Sequence, residues 1–581
     1  MPACAALPPH IDRPEDRLVA ALPIPRILAA LLVRRGVDTP EAARVFLDPD
    51  ASRLSDPGLL KGAAEAADVL VSAARRGKRI VVFGDYDVDG ITAVAQLRAS
   101  LRRAGADAVA FLPHRLRDGY GLKPETVRRV LSEQNPAVLI TVDCGITALE
   151  GVACARAAGV DVIVTDHHLL GSELPAGAIV VNPRQPGCAY PEKDLAACGI
   201  ALQIALAVSR RAGFALSLES LLRVASLGTI ADLVPLTGEN RVIASAGLAA
   251  LSRPRAPGLA ALLREAGVAP ERAPSSEEVA FRVAPRLNAA GRIDTAEAAL
   301  ALLEERDPRR ASHLAAELSR RNAERQAIER RVVAEARERV ARSYDLTEDA
   351  VIVEGDAGWH RGVLGIAASR LAREYHRPVL LFGFDGSRAA GSGRSIAGVP
   401  LYDLVSGLED FFVEFGGHAQ AVGGALPAER FEDFRRSARA HFAARVPREA
   451  LERRSEAEMD LPLEEIAAEL AAGLERLEPH GAANPRPVFH CASARLGPET
   501  RALGTHGLRG TVKRTGGRLP LAFVCWSRDA LEPLDAAGRE LEIEYRIAPR
   551  GRAPARAEPE IEIVSARPAG AGEPRLEGVP S

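Results

Sequence analysis

Three aspartates stand at alternate positions in GDYDVDG, as Asp85, Asp87 and Asp89. Carboxylates held this close repel one another when ionised, and bound cations neutralise them most effectively. Further groups of the same kind follow apolar runs: Asp143 ends LITVD, Asp166, His167 and His168 end VIVTDHH, and Asp232 lies in LGTIADLVPL. An EF-hand loop also opens D-x-D-x-D-G, but it follows a helix and closes with glutamate at its twelfth position. Counted from Asp85, that position is Gln96, and the segment before it is the apolar RIVVFG, so an EF-hand does not fit. Carboxylates with one or two imidazoles and no thiolate suit Mn2+ or Mg2+ better than structural zinc. Two such ions side by side activate water and stabilise the attacking and leaving oxygens of a phosphoryl transfer. The pattern points to hydrolysis of a phosphoester or phosphoanhydride at a dinuclear site. Taken singly, Asp143 or Asp232 is an ordinary helix cap or turn former, and a histidine an ordinary hydrogen-bonded residue. Their shared place after apolar runs is what argues for a site. Cys144 adjoins Asp143, and the alternation of side chains along a strand is expected to turn it away.

Elements that could bring these groups together are legible around them. RIVVFG, AVAFLP, AVLITVD, DVIVTD and AIVVNP read as buried strands, with helical segments such as GITAVAQLRASLRRAGA and TALEGVACARAAGV between them. Strand–helix alternation with fully apolar strands predicts an α/β domain built on a parallel sheet. Such a sheet delivers the carboxyl ends of its strands, and hence its ligands, to one edge. SRPRAPG (Ser252 to Gly258) and APERAPSSEE (Ala269 to Glu278) have the composition of connectors. A charged helical stretch follows, roughly Arg309 to Ser343, with Leu314, Leu318, Ile328 and Val332 at i,i+4 spacing. It reads as an amphipathic connecting helix with a solvated face. A second α/β region runs from AVIVEG to about Arg445. After Leu461, PLAFVCW, LEIEYRI and EIEIVSA read as strands of a small β-barrel or sandwich, and the last dozen residues as disordered.

Bulk properties narrow the class further. A chain of 581 residues predicts about three to four domains. Net charge is −2, from 75 Lys and Arg against 77 Asp and Glu, so any polyanionic partner must be held by a local basic surface. Seven cysteines without a C-x-x-C pair argue against a disulfide framework and against structural zinc, and fit a reducing, cytoplasmic setting. MPACAALPPHIDRPEDR lacks a signal-peptide pattern, and no apolar run approaches the roughly 18 residues of a membrane span, so a soluble chain without membrane association is expected.

GDYDVDG, TVDCG, TDHH and GTIADLVPL together resemble the four motifs of the DHH phosphoesterase superfamily. In order, FLPHRLRDGYGL, PRLNAAGRID, LSRRNAERQAIE, GSGRSI, FGGHAQAVGG and LEPHGAANPRPVF extend the resemblance to the bacterial RecJ family of single-strand-specific 5′-to-3′ DNA exonucleases. The opening RILAALLVRRGVDTPEAARVFLDPD fits as well, so the likeness covers roughly residues 25 to 490. It implies Asp85, Asp87 and Asp143 around one Mn2+ or Mg2+ ion and Asp89, His167 and Asp232 around the other, with Asp143 bridging. Asp166 would orient His167, and His168 would face the scissile phosphate; His168, Asp166 and Asp143 are the implied catalytic groups. Arg115 is an implied phosphate contact, and Ser392 and Arg394, helped by Arg292, would hold the terminal 5′-phosphate. Gly416, Gly417 and His418 would approach the nucleotide backbone. An arginine fork among small residues suits phosphate, although any one of these basic residues alone is equally a surface salt-bridge partner.

The resemblance also divides the chain. It implies an N-terminal helical segment (1–50), a DHH catalytic domain (51–268), a connector with the long helix (269–345), a DHH-associated substrate-binding domain (346–450), an OB-like nucleic-acid-binding barrel (451–570) and a disordered tail (571–581). The barrel has few aromatics (Phe523, Trp526, Tyr545), while Arg509, Lys513 and Arg514 could follow a phosphate backbone. LEPHGAANPRPVF is less Gly-rich than its family counterpart, and His114 and Asp118 depart from the commonest family residues. Two rival readings stand beside the nuclease: a phosphodiesterase for short oligonucleotides or cyclic dinucleotides, and a catalytically silent DNA-binding scaffold. The long helix and extra barrel favour a polymer substrate, and the full ligand set disfavours the scaffold. A monomer acting on single-stranded DNA, with single-strand-binding protein and a helicase as partners, is the family-level expectation.

Overall fold

The apolar runs between Arg79 and Val181 form five parallel strands: β1 (Arg79–Gly84), β2 (Asp107–Phe111), β3 (Val138–Val142), β4 (Asp161–Thr165) and β5 (Ile179–Val181), in spatial order β2-β1-β3-β4-β5. The computed structural model describes residues 13–114, 117–119, 121–293, 295–503, 507–514, 520–526, 540–548 and 559–569. Ile80, Val81, Val82 and Phe83 of β1 and Val138, Leu139 and Ile140 of β3 are buried, as strands covered on both faces must be. Connections leave β1 and β3 in opposite directions across the sheet, so their carboxyl ends open a crevice. Asp85 follows β1 and Asp143 follows β3, which puts the acidic residues at that switch point.

By its packing the chain divides into two units. The first comprises Met1–Ala284, Leu300–Ala311 and Ser455–Ser581, and the second Pro285–Ala299 and Ser312–Arg454.

In the first unit the helix Val88–Arg103 packs against the helices Ala197–Ala212 and Leu218–Ala231. Close approach there depends on missing side chains. A Cβ on Gly90 would lie 2.5 Å from the Asp85 carbonyl oxygen, and one on Gly228 would strike Thr92 Oγ1 and lie 2.8 Å from Asp89 Oδ1.

The second unit holds a five-stranded sheet, β6 (Ile352–Asp356), β7 (Val379–Asp385), β8 (Arg388–Arg394), β9 (Glu414–His418) and β10 (Ala421–Pro427), ordered β6-β7-β8-β10-β9. Only β6 and β7 run parallel; the rest is antiparallel. The long helix is Pro308–Ser343, and its Val332, Val333, Ala336 and Val340 enter this unit's core while Ile328 packs against it. Its role as an amphipathic helix agrees with the i,i+4 spacing.

The C-terminal region is a barrel, not a sandwich. It contains β11 (Met459–Asp460), β12 (Phe489–Leu496), β13 (Arg501–Leu503), β14 (Gly507–Lys513), β15 (Leu521–Cys525), β16 (Glu540–Ile547) and β17 (Glu560–Pro568). The ring β12-β16-β17-β15-β14 closes through pairing of Leu496 with Val512, and β15 lies parallel to β17. The sequence pattern identifies only the last three strands, because β12 and β14 carry Ser, Gly and Arg between their apolar residues. The barrel core is shared with the N-terminal helices: Leu28, Leu31, Leu32 and Leu47 belong to one cluster with Phe489, Phe523, Tyr545 and Ile561. Arg241, 2% exposed, reinforces this by donating to the carbonyls of Phe46 (2.7 Å), Glu478 (2.8 Å), Leu477 (3.1 Å) and Pro479 (3.2 Å). Among the described residues no helix is long and apolar enough to cross a membrane. Arg115 and the tail read as disordered lie outside the described residues.

Candidate metal centre and phosphate-binding groups

Each aspartate of GDYDVDG is presented differently. Asp85 leaves the end of β1. Asp87 caps the helix Val88–Arg103, its Oδ1 accepting from the Gly90 N–H at 3.1 Å, so it fills the ordinary capping role as well as any other. Asp89 sits in the first turn of that helix, and its two oxygens accept the N–H groups of Ala197 and Cys198, each at 2.8 Å, at the start of the helix Ala197–Ala212. That helix end favours a negative charge and fixes the carboxylate's orientation.

Asp143 follows β3 with φ +64°, a left-handed conformation that a short polar residue tolerates. Cys144 belongs to the buried apolar cluster that holds Val81, Phe83 and Leu139 and to none of the groups among the described residues that could ligate a metal. Strand alternation does not extend to it, because β3 ends at Val142 and the turn at Asp143 redirects the chain. Asp232 is a correction to the strand-end rule. It caps the carboxyl end of the helix Leu218–Ala231. The apolar run before it is a helix buried between neighbours, which a short hydrophobic pattern does not separate from a strand.

These side chains meet in three groups, each with ligand atoms within 4.8 Å of one another: Asp85, Asp87 and Asp143; Asp89, His167 and Asp232; and Asp143, His167 and His168. Asp143 belongs to two of them. His167 Nε2 lies 3.2 Å from Asp143 Oδ1 and 3.7 Å from Asp232 Oδ2, and this buried nitrogen makes no hydrogen bond. Burial pushes the Asp143 carboxyl well above the usual range, and the charges of Asp87, Asp89, Asp85 and Asp232 push it further. Burial, then Asp89 and Asp87, raise Asp232 to about 9, and burial also raises Asp89. Burial holds His167 below its ordinary value, hence neutral and able to ligate. A buried set of acceptors that resists carrying its own negative charge, with an unsatisfied imidazole nitrogen among them, fits a pair of divalent cations.

The orienting role of Asp166 falls on a different histidine from the one the resemblance implies. Asp166 Oδ1 meets His168 Nδ1 at 2.6 Å and accepts the N–H groups of His167 (2.8 Å) and His168 (3.1 Å), while Oδ2 accepts from Ile146 at 2.9 Å. Burial opposes ionisation of Asp166, but these hydrogen bonds hold it below the usual carboxylate range. His168 is pulled down by burial and more strongly up by Asp166, to about 9.

In the second unit, Ser392 and Arg394 are two residues apart on β8. Ser392 pairs with Gly423 and Gly423 with Gly416; Arg394 pairs with Ala421 and Ala421 with His418. Two lateral rows therefore put Ser392, Arg394, Gly416 and His418 on one face, floored by Gly423 and Ala421. A Cβ on Gly416 would meet nothing within 4 Å, so this face is open. Gly417 belongs to the opposite face, where a Cβ would strike the Ala421 carbonyl. Arg394 packs against Gly365, 2.9 Å from the position of a Cβ there, and Arg292 Nη1 lies 3.5 Å from the Gly362 carbonyl. Both guanidinium groups thus reach the start of the 15-residue helix Arg361–Tyr375, whose amino terminus adds to the attraction for an anion. Sequence reading missed this helix end; its signal is the run WHRGVLG, with small residues where a phosphate would need room.

Comparison with known proteins matches three segments of the chain to family models. Residues 79–229 match the DHH family, N-terminal domain, residues 348–444 the DHHA1 domain, and residues 457–549 the RecJ OB domain. The chain is 38% identical over 503 residues to the single-stranded-DNA-specific exonuclease RecJ of Bacillus subtilis, covering 86% of this chain and 63% of that protein. With the RecJ of Dickeya dadantii it shares 35% identity, over 90% of this chain and 93% of that one. The crystal structure of RecJ in complex with Mn2+ from Thermus thermophilus matches with a TM-score of 0.80 at 32% identity, over 97% of this chain and 78% of that one.

Proposed function

We propose a function from one premise: the chain belongs to the RecJ family of single-stranded-DNA-specific exonucleases. On that premise it hydrolyses phosphodiester bonds of single-stranded DNA from the 5′ end and releases mononucleotides, in DNA repair and recombination. The observation that carries the reading is the convergence of Asp85, Asp87, Asp89, Asp143, His167 and Asp232 with Asp143 shared between groups. Asp85, Asp87 and Asp143 would hold one ion, and Asp89, Asp143, His167 and Asp232 the other. Bound there, Mn2+ or Mg2+ supplies Lewis acidity at the phosphodiester and an activated water.

The remaining work belongs to the chain itself. Asp166 accepts the Nδ1 proton of His168, which leaves Nε2 of that ring to donate to a phosphate oxygen. With its pKa at about 9, His168 keeps that proton through neutral pH. The N–H groups of Ala197 and Cys198 keep Asp89 from turning. Ser392, Arg394 and Arg292 bind the terminal 5′-phosphate, Gly416 and His418 follow the nucleotide backbone while Gly417 between them faces the other side of the sheet, and Arg115 is a further phosphate contact. A cytoplasmic monomer acting with single-strand-binding protein and a helicase completes the proposal.

Incubation with Mn2+ of a 5′-labelled single strand, the matching duplex and a dinucleotide tests it. Labelled mononucleotide should appear from the single strand far faster than from the duplex. Turnover of the dinucleotide alone would favour a small-substrate phosphodiesterase, and binding without hydrolysis a scaffold.

A further inference from the structure

Two of the most exposed large apolar side chains of the described residues are the immediate neighbours of metal-site groups: Leu169, 71% exposed, follows His168, and Leu233, 70% exposed, follows Asp232. His167 Nε2 and Asp232 Oδ2 are 3.7 Å apart, so the two leucines flank one cluster from two chain segments. Singly exposed leucines are ordinary on protein surfaces. Leu233 differs in its backbone, with φ +62° directly after the carboxyl-terminal cap of the helix Leu218–Ala231. That place and conformation normally belong to glycine, because a Cβ crowds the backbone there. A strained, branched, solvent-facing side chain beside a metal ligand is the kind of outlier that marks a working position.

Chemistry restricts what the pair can touch. The cluster and its cations take the phosphate, and an aliphatic group gains nothing from an anion; the apolar part of a nucleotide is its base. We propose that Leu169 and Leu233 form an apolar rim on which a nucleobase adjoining the scissile phosphate packs, positioning the unpaired nucleotide for hydrolysis. The proposal rests on the nuclease reading above. A base in a duplex has both faces stacked, so the rim also favours an unpaired strand end.

The test compares single strands carrying natural nucleotides with strands whose first two positions lack bases, using Mn2+ and the full chain. The wild-type protein should show about tenfold higher kcat/KM on the natural strand. The double variant Leu169→Ala/Leu233→Ala should lose about that factor on the natural strand, mainly through KM, and nothing on the abasic one. Leu233→Met should restore most of the Leu233 contribution. Should the double variant melt early, Leu233→Gly, which fits the left-handed backbone, should match the wild-type melting temperature and still lose discrimination. Equal losses on both strands, or none on either, overturn the rim while leaving the nuclease intact. A wild-type protein that hydrolyses neither strand overturns the nuclease reading, and the rim with it.

Discussion

The candidate metal centre and the proposed phosphate-binding face approach the holding of an anion in opposite ways. In the first unit, acidic groups are packed under burial until their own charge becomes a burden, as the raised Asp143 and Asp232 carboxyls record. In the second, Ser392, Arg394, Gly416 and His418 stand on an open sheet face with glycine beneath them, and guanidinium groups gather at a helix start. The first arrangement needs cations to be comfortable; the second is complete in its own side chains. Removing a group should therefore relieve the one and only weaken the other.

The largest effect is expected at Asp143. Asp143→Asn keeps a residue that tolerates φ +64° but removes the shared charge, so DNA hydrolysis should fall at least about a hundredfold. In chelator the same variant should melt no earlier than the wild type, because like-charge repulsion has been lowered. An early melt would show that the carboxylate is a structural cap. His480, also in the first unit, extends the contrast. Burial, then Arg35 and Arg486, lower its pKa to about 3, and its Nδ1 is buried without a hydrogen bond. Between about pH 6.5 and 3 the unfolded chain binds more protons there, so stability is full above 6.5 and falls as pH drops through that window. At pH 5 the loss from this group is about 2 kcal/mol. His480→Asn should flatten the fall in melting temperature between pH 7 and 5; an unchanged slope would place the pH sensitivity elsewhere.

In the second unit, Arg394→Ala should reduce the preference for a 5′-phosphorylated over a 5′-hydroxyl strand about tenfold, with little effect on stability. No change in that ratio would remove Arg394 from the phosphate site. The smallest effect distinguishes the two faces of β9. Gly417→Ala should destabilise by about 1–3 kcal/mol, since its Cβ meets the Ala421 carbonyl, whereas Gly416→Ala should fold normally in thermal melts. Equal melting of the two would contradict the pairing register.

Much of the first unit was legible because its strands are continuous apolar runs and most of its candidate ligands lie at the carboxyl edge of those strands. Asp232 was legible as a candidate ligand through its motif but not in its place, since a buried helix and a buried strand look alike over ten residues. Asp166 was assigned to the wrong histidine because a two-residue hydrogen bond and a one-residue one are indistinguishable in TDHH; only the turn after β4 selects the His168 ring. The barrel was half legible, its first strands being interrupted by Ser, Gly and Arg.

By itself the sequence determined the inventory of acidic and imidazole groups, the parallel sheet and the family, because these depend on residue type and on periodicities of two and 3.6 that neighbours impose on neighbours. Tertiary structure alone decided that Ala197 and Cys198 hold Asp89, that the N-terminal helices share the barrel's apolar core, and that Leu233 faces solvent in a strained conformation. Each of these joins residues that are distant in sequence or sets a backbone angle by packing, and no local pattern encodes either.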